Sequence, residues 1–156
     1  MTAPHGLLVI GFGNTLRRDD AAGPAVAEAV AALNLPGVFV LVRHQLTPEL
    51  AEIVSHAAAV VFVDATTRTR DGVELQETHP RDGLRTLGHV TDPGSILTLA
   101  RYLFGRCPRS WTLTIPGEDF GLGEELSPLA QSGIGMAVKE IQRLADQPNL
   151  HGHSIP

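Results

Sequence analysis

A chain of 156 residues with no internal break in composition suits one domain, and 43% hydrophobic against only 4% aromatic residues calls for a core of Val, Leu, Ile and Ala packed between layers. Its net charge of −5, with Lys and Arg scattered, leaves no footprint for nucleic acid or an anionic membrane and directs the search to a protein or small-molecule partner. Cys107 is the only cysteine, which excludes an internal disulfide framework and a cysteine-cluster metal site; with no apolar stretch near the roughly 18–20 residues of a membrane span and no leader pattern in Met1 to Gly6, a soluble cytoplasmic protein is expected.

Leu7-Leu8-Val9-Ile10 is a continuous apolar run, the pattern of a strand buried on both faces of a parallel sheet, and Gly11 and Gly13 end it. From Asp20 onward Val26, Val30 and Leu33 recur at helical spacing, Pro24 stands in the first turn, and Pro36-Gly37 closes the element. Val38 to Val42 predicts the second strand. Thr47 as cap and Pro48 as first residue predict a helix with Leu50, Ile53 and Val54 on its apolar face. Ala58 to Val63 is the third strand, ending at Asp64. Beyond a polar stretch with Arg68, Arg70 and Asp71-Gly72, the alternation of Val73-Glu74-Leu75-Gln76 predicts an edge strand with one wet face, open to antiparallel pairing.

His79 to Thr91 shows no period. Asp92-Pro93 then gives a cap-and-proline start for Ile96, Leu97, Ala100 and Leu103, with Gly105 at the far end. Trp111 to Ile115 predicts the fifth strand, Pro116 to Gly121 a loop, and Ser127-Pro128 a last helix carrying Leu129, Ile134, Val138, Ile141 and Leu144. Residues 147–156 are expected to fray as a tail beyond a core of about 7–145. The order predicts a single-domain α/β fold, a mostly parallel five-stranded twisted sheet with helices on both faces, whose ligand crevice lies outside the carboxyl ends of its strands.

Polar residues gather at that end: Asp20 follows the first strand, His44 the second and Asp64 the third, while His89 lies in the loop before a helix. Gly11-Phe12-Gly13 invites a dinucleotide reading, but the fingerprint needs a glycine three positions past Gly13, where Leu16 stands, and Asp19-Asp20 would repel a pyrophosphate. No Gly-Lys-Ser/Thr ending marks a P-loop, no Gly-x-Ser-x-Gly a nucleophile elbow, and no His-Glu-x-x-His a zinc protease. Asp19-Asp20 keeps two readings: acids at a helix N-terminus, each contributing about 0.3–1 kcal/mol through capping and the dipole, or ligands sharing the crevice with Asp64.

Asp64 has its own turn-capping reading, and His89 that of an exposed loop histidine, with His44, His56 and His79 competing for any role. Taken together Asp20, Asp64 and His89 are an O, O, N set that suits a borderline divalent ion such as nickel or zinc with positions left open. His44-Gln45 and Glu118-Asp119 also belong to strand-end loops, where each pair either lines the crevice or solvates its loop; Cys107 reads as structural.

The run Gly11-Phe12-Gly13-Asn14-Thr15-Leu16-Arg17-Arg18-Asp19-Asp20, then Val61-Phe62-Val63-Asp64-Ala65, His89 ahead of Ile96-Leu97, and Ile115-Pro116-Gly117 with Leu126-Ser127-Pro128 resembles the hydrogenase maturation endopeptidases, in order from Leu7 to Ala145. The resemblance implies a small α/β protease that removes a C-terminal peptide from the large-subunit precursor of a nickel-iron hydrogenase after nickel insertion. It also implies that Asp20, Asp64 and His89 are the metal-contacting and catalytic positions. The nickel is then supplied by the client rather than held tightly by the enzyme, and the enzyme is expected to act as a monomer. Many members carry an Asp-Gly-Gly-Thr-like segment after the second strand where this chain has His44-Gln45-Leu46, a form that looks like the subgroup serving bidirectional, NAD-linked hydrogenases. The other readings are a noncatalytic metallochaperone or scaffold using the same crevice, and a nucleotide-binding oxidoreductase.

Overall fold

The computed structural model describes residues 6–81 and 92–147; His89 and residues 148–156 of the expected tail lie outside them. Five strands form one sheet in the order β2-β1-β3-β5-β4, with β1 Leu7–Phe12, β2 Val38–Arg43, β3 Ala59–Thr66, β4 Glu74–Thr78 and β5 Arg109–Pro116. The first four in that order are parallel, and β4 is the antiparallel edge, Glu74 opposite Thr114 and Thr78 opposite Ser110. This is the predicted mostly parallel sheet, with the alternating segment at its edge, because only an edge strand keeps one face wet.

Helices α1 (Ala22–Ala32) and α4 (Pro128–Ala145) cover one face, α2 (Leu50–His56) and α3 (Pro93–Phe104) the other. The apolar strands divide between the two layers by pleat: Leu7, Val9, Val61, Val63, Leu113 and Ile115 pack toward α1 and α4. Leu8, Ile10, Val60 and Phe62 pack toward α2 and α3. Two-sided burial is why these strands read as unbroken apolar runs and not as alternation.

Two boundaries depart from the sequence expectation. Asp20 does not open α1; it lies in a 3-10 turn, Arg18–Ala21, and α1 begins at Ala22 with no side-chain cap. Thr47 does not cap α2, whose first residue is Leu50; the intervening residues form a turn closed by the Leu50 N–H on the Thr47 carbonyl at 3.1 Å. The Glu49 carboxyl is held below its ordinary value by its own backbone N–H first and then by the Thr47 hydroxyl, which turns to it instead. The caps at Asp92 and Ser127 form as predicted, accepting from the N–H groups of Ser95 at 2.9 Å and Ala130 at 3.1 Å. Cys107 is partly buried against the α2/α3 layer, and burial pushes its thiol pKa up despite the nearby Arg101, as befits a structural cysteine.

The first helix lies unusually close to the sheet. A Cβ on Gly23 would stand 2.5 Å from the Val63 carbonyl oxygen and 2.6 Å from that of Phe12, so α1 reaches this depth only with hydrogen at the position. Gly23→Ala is therefore expected to cost about 1–3 kcal/mol, because backbone on both sides cannot give way; a urea midpoint equal to that of the unaltered protein would refute the close approach.

Candidate functional site

Strand order reverses direction about β1, with β2 on one side and β3 on the other, so the crevice of a doubly wound sheet belongs above the carboxyl ends of β1 and β3. Asp20 reaches that point from the 3-10 turn after β1, and Asp64 from the end of β3, where it aligns with Thr114 of β5. The Asp20 charge is near enough to act on Asp64. Burial, countered in part by the Ala65 N–H and reinforced by Asp20, raises the Asp64 pKa from 3.8 to about 6.

Each carboxylate is anchored by one oxygen. Asn14 donates its N–H to Asp20 Oδ2 at 2.7 Å, and Ala65 donates to Asp64 Oδ1 at 2.8 Å. The other oxygen of each has no hydrogen-bond partner among the described residues. Two neighbouring carboxylates, each oriented by a backbone donor with a lone-pair face left open, are suited to a divalent cation or to a water molecule that needs a proton acceptor. No cluster of three His, Cys, Asp or Glu side chains able to hold a metal occurs among the described residues. The third predicted donor, His89, lies outside them.

The competing histidines separate by topology. His56 ends α2, just before the start of β3, and His79 follows β4 beyond the Thr78–Ser110 rung, which is four residues along β5 from the Thr114 aligned with Asp64, roughly 13 Å. Both belong to the far end of the strands. His44, directly after Arg43 at the end of β2, is exposed and lies at the crevice end.

Asp19 turns out to have a different task from Asp20, and not the capping of its own helix that the sequence suggested. It is fully buried and accepts four hydrogen bonds: from the N–H groups of Glu118 at 2.8 Å, Asp119 at 3.1 Å and Ser127 at 2.8 Å, and from the Ser127 hydroxyl at 2.7 Å. Burial works to raise its pKa, but the donors, led by the Ser127 N–H, outweigh it and hold the carboxyl below its ordinary value. Asp19 thus ties the loop after β1 to the loop after β5 and to the N-terminus of α4. Glu118 and Asp119 serve that junction through their N–H groups, while their side chains pair with Arg70 at 2.7 Å and Arg18 at 3.6 Å. No local sequence signal marks Asp19 as a hub, because its partners lie about a hundred residues away.

The glycine loop offers no anion cradle. The N–H of Gly13 donates to Arg43, that of Asn14 to Asp20, those of Leu16 and Arg17 to Asn14, that of Arg18 to Gly123, that of Asp19 to Asp119 and that of Asp20 to Arg17. Gly13 has φ +153°, and a Cβ there would collide with the Asp20 carbonyl. Its role is to fold the loop back beneath Asp20, leaving these donors none to spare for a phosphate.

No protein-family model and no curated protein sequence matches the chain. Solved structures do. Hydrogenase maturating endopeptidase HybD from E. coli superposes with a TM-score of 0.70 at 18% identity, over 89% of this chain and 91% of that one. NiFe hydrogenase maturation protease HybD from Thermococcus kodakarensis gives 0.67 at 22%, over 90% and 99%, and the maturation protease HycI from the same organism 0.64 at 24%, over 92% and 94%. The chain shares their fold across nearly its whole length.

Proposed function

We propose that this chain is an endopeptidase that removes the C-terminal peptide of a nickel-iron hydrogenase large-subunit precursor after nickel has been inserted. The observation that carries the reading is the pair of half-anchored carboxylates, Asp20 and Asp64, at the switch point of a fold also found in hydrogenase maturation endopeptidases. Nickel belongs to the substrate here. It arrives on the client's cysteine thiolates and is met by the open oxygens of Asp20 and Asp64, with His89 as the nitrogen donor.

Such an arrangement makes proteolysis conditional on the metal. An approaching cation neutralises the repulsion between Asp20 and Asp64 and draws the proton off Asp64, whose pKa of about 6 leaves a protonated fraction near neutral pH. The bound metal then polarises the scissile carbonyl or a water. His44, at the crevice end of β2, is the base that position favours. His44-Gln45-Leu46 after β2 supports a bidirectional, NAD-linked hydrogenase as client, and a monomeric, cytoplasmic enzyme accords with that role. No helix among the described residues is long and apolar enough to cross a membrane.

The test is to mix the protein with nickel-loaded and nickel-free precursor and read the precursor's mass. Shortening of the loaded form alone is the expected result. A precursor that binds yet keeps its mass in both forms would replace the peptidase by a noncatalytic metallochaperone or scaffold.

A further inference from the structure

The mouth of the Asp20/Asp64 site carries two leucines that the core does not use. Leu16 is 58% exposed and Leu122 75%, the latter the most exposed large apolar side chain among the described residues. Neither sits on a loose loop. The Gly123 N–H donates to the Leu16 carbonyl at 2.9 Å, the Arg18 N–H to the Gly123 carbonyl at 3.0 Å, and Arg18 Nε to the Leu122 carbonyl at 3.1 Å. Arg17 and Gly123 pair as an isolated parallel bridge, and the Arg18 guanidinium is braced by Asp119 at 3.6 Å and Glu125 at 3.9 Å. Two loops 104 residues apart are thereby locked into one rim, with their polar backbone turned toward each other and the leucines turned out.

This rim is continuous with the site. Asn14, which orients Asp20, is two residues before Leu16, and Asp119, which donates to Asp19, is three before Leu122. The loop that carries Leu16 is the one that carries Asp20. Fixing two loops costs conformational entropy, and holding leucines rigid in water returns none of it; a preorganised apolar pair inside a polar surround is instead the form of an interface anchor. The rim's charged side chains, Arg17 and Arg18 against Asp119, Glu124 and Glu125, sum to one negative charge, which favours a partner face with Lys or Arg at its periphery.

We propose that Leu16 and Leu122 form the docking ledge for the folded body of the substrate protein, taking an apolar face bordered by basic groups. The ledge rests on the endopeptidase reading and locates the contact that holds the client while its tail enters the site. It sets affinity and leaves the chemical step alone, since neither leucine has a group that could act on the scissile bond.

The experiment is steady-state cleavage of nickel-loaded precursor by the Leu16→Ser/Leu122→Ser double variant, with melting temperature and sedimentation measured alongside. KM is expected to rise at least about tenfold with kcat within about twofold, and Leu16→Met/Leu122→Met to restore it. If the serine variant melts early, Leu16→Lys/Leu122→Lys, which also repels a basic periphery, takes its place. An unchanged KM in a folded variant, with the unaltered enzyme active, overturns the ledge and spares the peptidase reading. An unaltered enzyme that leaves the precursor intact overturns that reading and the ledge with it. A dimer that becomes monomeric on substitution assigns the leucines to a second copy of this chain and also overturns the proposal.

Discussion

Replacing Asp64 with asparagine is expected to abolish cleavage and to make the protein more stable at neutral pH. The two effects have one cause. Asp64 is a mostly buried carboxyl beside the Asp20 charge, so the fold favours its neutral form and shifts its pKa from 3.8 to about 6. A group whose pKa is raised by folding contributes stability below its unfolded value, near 3.8, and that contribution is lost as pH rises through about 6. Such a displacement corresponds to about 3 kcal/mol at most, and contact with water at the crevice mouth reduces it to about 1–3 kcal/mol. Asparagine removes the charge and keeps the shape. Urea denaturation at pH 4 and pH 7 should therefore show the unaltered protein losing stability between the two while Asp64→Asn does not.

Under the proposed function, the same substitution takes away the charge offered to the client's nickel. A fall in kcat/KM of at least about 100-fold, roughly 2.7 kcal/mol of transition-state stabilisation, is the expected result for Asp64→Asn, and likewise for Asp20→Asn. Cleavage at the unaltered rate by either variant would remove these carboxylates from the mechanism. A group that costs stability and is indispensable to activity is the pattern expected of a functional site.

Asp19→Ala is expected to act in the opposite sense, destabilising the fold by about 3–5 kcal/mol, or about 6–20 °C in melting temperature for a chain of this size. The carboxylate satisfies three backbone N–H groups and the Ser127 hydroxyl from a fully buried position. Truncation leaves those donors without their acceptor in a place water does not reach. Asp19→Asn should do little better, since its amide nitrogen would face a donor. A melting temperature within 3 °C or so of the unaltered protein, for both variants, would show that the loops hold without this junction.

Asp19 and Asp64 together set a pH optimum for stability. Because folding lowers the Asp19 pKa, its contribution is present above its unfolded value near 3.8 and is lost as pH falls through the lower folded value. Asp64 begins to cost above that same value. Stability from this pair should peak near pH 4, and Asp64→Asn should flatten the alkaline side of the curve without altering the acid side.

Much of this molecule was legible in its sequence because local chemistry and global fold agree. The buried parallel strands announce themselves as unbroken apolar runs, the alternation at Val73-Glu74-Leu75-Gln76 marks a wet edge, and the Asp92-Pro93 and Ser127-Pro128 starts follow from proline's fixed φ and a side-chain acceptor one residue earlier. That Asp20 and Asp64 share a crevice followed from strand order alone, since both end elements on the same side of a parallel sheet.

What the sequence did not decide depends on contacts between distant residues. Asp19 and Asp20 are the same residue type at adjacent positions, and only the packing of the β5–α4 loop assigns one to a buried junction and leaves the other open to the crevice. Four histidines competed on sequence; the topology sends His56 and His79 to the far end of the strands and leaves His44 at the crevice end. The sequence already argued against a nucleotide loop at Gly13, and the structure adds what the glycine is for, the bend beneath Asp20, whose carbonyl lies where a side chain would be. Local propensity acts over a few residues, and so fixes elements and their order. Burial and charge proximity act through space, and they alone separate a carboxylate spent on a buried junction from one left open to the crevice.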